Sequence, residues 1–377
     1  MKRIRGIIVK SVYIVLLVVI LILLSVAKNN VDFAESMTRG VVRWYGKGAS
    51  FISNLVPFLS LTEVLFVSLV LIGILLLVLA IINLVKLSIF KAANKILLIP
   101  AIALTVVALY NFSCEASYNR KEMPLPYYNQ EVNRDDFAKI YNYFTDDLNV
   151  CISQLEFEEN GDVKAMKLED VTKEVKKAYE IVTDPYFHPY FGSVKPLLSS
   201  FFYRELQITG VTFSPLSEAN INTMNTHVDI PFTVAHELAH TKGVMREDDA
   251  NQLAFYVCLN SDSPYLRYSA YTAYYYQIQS MASGSYLTDE QLSHKTSVPN
   301  EAIGKTINYV KAYWSKHKLF KDIGEWINNL YIKSSGVPAG TASYSGGTDS
   351  EFDPTTNKFT PSKYQKLFIE NYYRHNS

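Results

Sequence analysis

Cysteine is scarce in these 377 residues, limited to Cys114, Cys151 and Cys258. Three cannot build a disulfide scaffold, which excludes the small secreted folds that depend on one. Cys151 and Cys258 are one potential pair that sequence leaves open, and Cys258 has no cysteine neighbour close enough for a thiolate metal site. Net charge is absent as well, with 36 Lys and Arg against 36 Asp and Glu. With no basic run outside the flanks of its hydrophobic segments, the chain has no electrostatic footprint for nucleic acid. Histidine is rare too, at seven residues, so any regular spacing between two of them carries weight. No internal repeat is evident.

Apolar sequence, in contrast, is abundant and unevenly placed. Ser11–Ala27, Val64–Val85 and Ile96–Cys114 contain no Asp, Glu, Lys or Arg. Each approaches or exceeds the roughly 20 residues a helix needs to cross a bilayer. Transmembrane helices are therefore expected at about 7–27, 64–85 and 96–114, with Lys10 able to snorkel and Pro100 placing a slight kink in the third. Their only strongly polar residues are Asn83 and, at the outer end of the third, Asn111, which argues against a conduction path. The mean hydropathy of +0.03 conceals this division into an apolar anchor, 1–118, and a polar domain, 119–377.

Lysine and arginine orient the anchor. Lys2, Arg3, Arg5 and Lys10 precede the first run, and Lys86, Lys91 and Lys95 fill the loop between the second and third. Positive flanks belong in the cytoplasm. The loop Lys28–Thr62 then falls outside, despite Arg39, Arg43 and Lys47, as does everything after about Glu115. Ser25-Val26-Ala27 also resembles a signal-peptide cleavage site, and cleavage there leaves the domain on the same side. The outer loop around Trp44 and Tyr45 reads either as an interfacial stretch or as an ordinary connecting helix. The expectation is a multi-pass cell-membrane protein, partnered by the lipid bilayer, with an extracytoplasmic domain.

Within that domain, Asp135–Ser153 reads as a helix with Phe137, Ile140, Tyr141, Phe144 and Leu148 on one face. Leu168–Val182 is a second, Asn160-Gly161 a turn, Leu206–Phe213 a strand, and Ala219–Asn222 a further extended piece. Helices follow at Pro264–Ser280, Glu301–Lys318, Asp322–Ile332 and Ser362–Tyr373. The Gly-, Ser- and Thr-rich stretch 334–353 is expected to be a flexible loop.

The most specific signal is His236-Glu237-Leu238-Ala239-His240. Positions i and i+4 share a helix face, so two imidazoles can reach one metal ion, while Glu237 can take a proton from a metal-bound water. Such a pattern arises by chance in roughly one chain per hundred of this length. Pro231 suits an opening helical turn, and Gly243 is placed to end the helix in a left-handed turn. A second helix is expected over Arg246–Leu259. On it Glu247 and Asn251 share a face, with Asp248 and Asp249 turned about 100° and 200° away. Glu247 is the favoured third ligand and Asn251 a group that orients a ligand imidazole. Asp248 and Asp249 are the alternatives, otherwise serving as helix-start acids.

His-Glu-x-x-His followed by Glu-x-x-Ala-Asn resembles the gluzincin zinc metallopeptidases. The resemblance implies Zn²⁺ bound by His236, His240 and Glu247, with Glu237 as general base and Asn251 behind the ligands. The six residues between His240 and Glu247 form a shorter gap than in thermolysin-type enzymes. Ser217–Asn222, the site and the three hydrophobic spans also resemble an uncharacterised bacterial family of membrane-anchored proteins with a predicted zinc-peptidase domain.

The implied fold is a three-helix anchor plus an α+β, mainly helical zincin-like domain, with a small sheet before the His-Glu-x-x-His helix. In gluzincin-like folds an edge strand pairs with substrate backbone, and Leu206–Phe213 is the candidate; a buried strand is the alternative. Zinc peptidases commonly stabilise the oxyanion with a tyrosine, histidine or arginine, which makes Tyr268, Tyr271 and Arg267 candidates beside a core-packing role. The implied function is hydrolysis of peptide or protein substrates. The alternative is a non-catalytic sensor or scaffold with structural zinc, closed by a fourth ligand such as His227 or Glu218.

Overall fold

The computed structural model describes residues 2–27, 29–182, 184–282, 287–288, 290–291, 299–334, 351–353, 355–356, 358–362 and 364–376. Its first apolar run forms α1 (Lys2–Ala27), followed by two short helices, α2 (Val31–Met37) and α3 (Arg43–Asn54). The second forms α4 (Leu61–Val85). The third is divided into α5 (Ile89–Ile96) and α6 (Leu98–Tyr110), which meet at Leu97. Pro100 has no N–H to give the Ile96 carbonyl, which places the break one turn before it. Three helical stretches, Ile4–Val26, Leu61–Val85 and Ile89–Glu115, are long and apolar enough to span a membrane. The third begins ahead of the expected Ile96, because Lys91 and Lys95 lower its hydropathy without interrupting the helix. Inside α4, the Asn83 amide donates to the Leu79 carbonyl at 2.6 Å, so this polar group is satisfied within its own helix.

The remainder is mainly helical. After α7 (Ala116–Tyr118) come β1 (Val132–Asn133), α8 (Arg134–Gln154) and α9 (Leu168–Ile181). Asn133 caps α8 by accepting from the Asp136 N–H at 2.9 Å, and Asp135 and Asp136 complement its N-terminal dipole. All five residues of its expected apolar face are buried. Next are β2 (Ser193–Pro196), α10 (Ser200–Glu205), β3 (Gly210–Phe213) and β4 (Glu218–Ile221). The hairpin α11 (Asp229–Thr241) and α12 (Glu247–Leu259) then leads to α13 (Pro264–Ala273), α14 (Tyr275–Ala282), α15 (Pro299–Lys316) and α16 (Lys321–Ser334). Short strands β5 (Glu351–Asp353) and β6 (Lys358–Thr360) precede α17 (Gln365–Asn376).

Among the described residues, two three-stranded sheets result. One is ordered β2-β4-β3, with β2 parallel and β3 antiparallel to β4; the other is β1-β6-β5. The first lies in sequence ahead of α11, as expected; the second joins the start of the domain to its end, through strands too short to leave an alternating pattern in the sequence. The strand expected over Leu206–Phe213 is confined to Gly210–Phe213, because α10 precedes it and Gln207 turns the chain with φ of +58°. The helix expected over Pro264–Ser280 breaks at Tyr274. Most of the 334–353 stretch lies outside the described residues. Cys151 and Cys258 are buried free thiols, not a disulfide. Burial pushes the Cys151 pKa up to about 12 and raises that of Cys258.

Residues 31–63 pack on the domain, across the division expected at 118 and 119. Lys195 on β2 and Glu218 on β4 form an ion pair of 3.0 Å with both side chains fully buried. The Lys195 ammonium also donates to the carbonyls of Ser53, Val56 and Leu59, where α3 ends. The Glu218 carboxylate accepts from the N–H groups of Leu61 (3.1 Å) and Thr62 (2.7 Å), where α4 starts. Each charge thus meets the helix end of opposite partial charge and satisfies groups that helices leave unpaired. A second tie runs through Arg120, whose guanidinium grips both oxygens of Glu35 at 2.9 Å and the Gly243 carbonyl at 3.2 Å. Arg120 therefore links α2 to the turn that closes α11.

Candidate metal centre

α11 buries Val234, Ala235, Leu238 and Ala239 completely, which fixes its rotation and turns His236 and His240 to the opposite side. It ends where expected: Gly243 has φ of +84°, a conformation costly to side chains. The Gly243 N–H returns to the His240 carbonyl at 3.0 Å and the Val244 N–H to Ala239 at 3.1 Å. The chain then reverses, and α12 brings Glu247 back over the two imidazoles.

His236 Nε2 lies 3.2 Å from His240 Nε2 and 3.2 Å from Glu247 Oε2, and His240 Nε2 lies 3.7 Å from that same oxygen. His240 Nδ1 faces the Val244 carbonyl at 2.8 Å. A carbonyl accepts only from an N–H, so Nδ1 carries the proton and Nε2 presents its lone pair to the other two donors. A tetrahedral zinc with Zn–N distances of about 2.0–2.1 Å holds its donors about 3.3 Å apart. The three atoms match that spacing, and two imidazole nitrogens face a carboxylate in a partly buried place. The donor set fits zinc. Among the described residues, these three form the one group of His, Cys, Asp or Glu whose ligand atoms lie within 4.8 Å of one another.

The alternatives for the third donor are engaged elsewhere. Asp249 pairs with Arg246 at 2.6 Å, and Asp248 accepts from the Asp249 N–H at 3.0 Å. Asn251 lines the same cleft and lies close enough to the His236 ring to favour its charged form, although the buried Nδ1 makes no hydrogen bond of ordinary geometry. Burial works against the His236 imidazolium, but Glu247 outweighs it and raises the pKa.

Glu237 is held by β3. The Thr212 hydroxyl lies 2.7 Å from Glu237 Oε2 and 2.9 Å from its backbone carbonyl. Gly210 lets the strand come this close: a Cβ there would sit 2.8 Å from Glu237 Oε1 and 2.9 Å from Thr233 Cγ2. Burial pushes the Glu237 pKa up, against the pull of the His236 and His240 imidazoles and Thr212. Neither Thr212 nor Gly210 was singled out by the sequence; a glycine inside an expected strand was the available signal for a close backbone approach. The donors and Glu237 open on a cleft of about 670 Å³, whose walls include all of β3.

The candidate oxyanion groups are not at this cleft. The Tyr268 hydroxyl meets Thr306 Oγ1 at 2.8 Å, Tyr271 donates to Asp147 at 2.7 Å, and Arg267 pairs with Asp147 at 3.2 Å. Their helical stripe is core packing, with Tyr268 and Tyr271 almost fully buried. The fourth ligands considered for a closed site are also remote from it: His227 Nδ1 faces the Val163 carbonyl at 3.2 Å, and Glu218 is the partner of Lys195.

No curated protein and no solved structure matches this chain. Residues 37–349, from the end of α2 through the α11–α12 hairpin and beyond, match the family described as "Protein of unknown function (DUF3810)". With most of its length covered by that match, the chain belongs to the DUF3810 family.

Proposed function

We propose that this protein is a membrane-anchored, zinc-dependent peptidase of gluzincin-like type. The observation that carries the reading is the convergence of His236, His240 and Glu247 at 3.2–3.7 Å beside an open cleft. A bound zinc ion would supply Lewis acidity to the scissile carbonyl and to water. Glu237 accepts a proton from the attacking water and delivers it to the leaving amine nitrogen. Its buried setting suits both tasks, since a raised carboxylate pKa brings it nearer the operating pH. Thr212 keeps the carboxylate in one orientation. Backbone groups of β3, at the edge of its sheet, align an extended substrate. The lysine and arginine bias of the anchor puts this site outside the cytoplasm.

Glu237→Gln tests the reading, because it preserves shape and removes the base. Peptide turnover is expected to fall by at least about 10²-fold while zinc content, measured by mass spectrometry of the native protein, stays at one per chain. Undiminished turnover in this variant would refute the assigned role. The size of the cleft and the engagement of His227 and Glu218 elsewhere favour a catalytic over a structural metal.

A further inference from the structure

The cleft beside the donors has a wall that a free-standing peptidase domain would lack. Thr62 and Phe66, in the opening turns of α4, line it together with Val106, Val107 and Tyr110, near the end of α6. Both helices belong to stretches able to span a membrane. Phe66 packs edge-to-face on Phe213 of β3, with ring centroids 5.3 Å apart, so a spanning helix directly abuts the strand that holds Glu237. The cleft is thus continuous with the lateral surface of the anchor.

α16 contributes Ile327 and Asn328 to the lining as well. This helix is fastened just before its start, where the Phe320 N–H donates to the Glu205 carbonyl at 2.9 Å, and Gln207 holds the preceding end of α15 by donating to the Trp314 carbonyl at 2.8 Å. Ile323, Trp326, Ile327 and Leu330 follow helical spacing along one face and are 44–62% exposed. Phe201 and Phe202 on α10 are similarly exposed, beside Ser199, whose N–H is bound by Glu63 of α4 at 3.0 Å. A concentrated apolar surface of this kind next to spanning helices is the signature of immersion in a lipid interface.

We propose that the cleft receives its substrate from the bilayer. The substrate is a polypeptide whose apolar segment lies in the leaflet on the domain's side, against α4, α6 and α16. Its extended juxtamembrane stretch adds to β3, which carries one peptide bond to His236, Glu237 and His240. A polypeptide rather than a lipid is the occupant because, among the described residues, β3 pairs with β4 alone, leaving a backbone edge that another backbone complements. The apolar walls favour a membrane-held chain over a soluble peptide, and confinement to the membrane raises its effective concentration. This inference rests on the peptidase reading.

The test uses the full chain, zinc-loaded, in phosphatidylcholine–phosphatidylglycerol vesicles. Two pools of randomised synthetic peptides are compared, one fused at either end to a leucine-rich helix of about 20 residues and one without it. Cleavage of the anchored pool, read by mass spectrometry, is expected to be at least about tenfold faster. Equal rates would overturn the membrane route while leaving the peptidase reading intact. A second arm places a photo-crosslinking phenylalanine analogue at position 66 of the Glu237→Gln protein, with and without zinc. Preferential capture of the anchored pool supports the route. Capture of phospholipid alone, or of both pools equally, overturns it. Should wild-type protein cleave neither pool, the peptidase reading fails, and the crosslinking arm still decides whether the groove holds a membrane-borne polypeptide.

Discussion

The α11–α12 hairpin and the joint between anchor and domain are held by opposite kinds of sequence relation. In the hairpin, His236, His240 and Glu247 are separated by one helical turn and one chain reversal, so spacing alone brings them together. At the joint, Arg120 meets Glu35 across 85 residues, and Glu218 meets the Leu61 N–H across 157. The hairpin presents lone pairs to a common point, as a cation site requires. The joint neutralises every charge it buries, pairing Lys195 with Glu218 and giving each a helix end. One region turns its donors toward a common point beside an open cleft, and the other closes its charges on one another. A candidate site and a structural weld can therefore use the same residue types and still be told apart by whether their charged groups face a cleft or one another.

The largest effect that would sharpen this contrast is expected at the weld. Lys195→Met leaves Glu218 buried without its partner, a loss of about 3–5 kcal/mol, seen as a large drop in the thermal midpoint of the detergent-solubilised protein. The double variant Lys195→Met with Glu218→Leu should recover much of that loss. No recovery would mean that the two charges act separately on α3 and α4. At the hairpin, Gly210→Ala pushes β3 away from Glu237 and should cost about 10²-fold in turnover with zinc retained. Loss of zinc with activity per bound zinc unchanged would show that β3 serves the donors instead of the base.

Gly243→Ala addresses the turn that both regions share. A side chain at φ of +84° costs about 1–2 kcal/mol, and the new methyl meets His188 Nε2 at 2.6 Å. A fall of several degrees in the thermal midpoint, accompanied by weaker zinc retention against a chelator, is expected. The smallest effect is pH-dependent. Burial raises the Glu35 pKa, but Arg120 and Arg39 outweigh it and hold it at about 2, below the ordinary 4.5. Its contribution is complete above pH 4.5 and disappears as pH falls from 4.5 towards 2. Glu35→Gln should lower stability near neutrality and flatten that acid limb; an unchanged slope would remove Glu35 from the account.

The sequence reveals most about contacts made within one helix or across one turn. The two imidazoles, Glu237, Glu247 and Asn251 were legible because a helix repeats every 3.6 residues and Gly243 limits where the chain can go. The spans were legible from long runs without charge, although Lys91 and Lys95 hid the start of the third. Thr212 and Gly210 escaped notice because their contacts with Glu237 depend on how a strand docks on a helix. The Lys195–Glu218 pair depends on parallel pairing of β2 with β4, which no local pattern announces. Tyr268 and Tyr271 misled for the converse reason: a helical stripe of tyrosines marks a buried face without saying what that face meets.

The most direct test of the central claim is metal content and coordination of the purified full chain, measured by mass spectrometry and X-ray absorption. One zinc per chain is predicted, with two imidazole nitrogens and one carboxylate as its protein donors, and lost in His240→Ala. A protein that binds no zinc at stoichiometric level, or binds it through four protein donors in a closed site, would contradict the account.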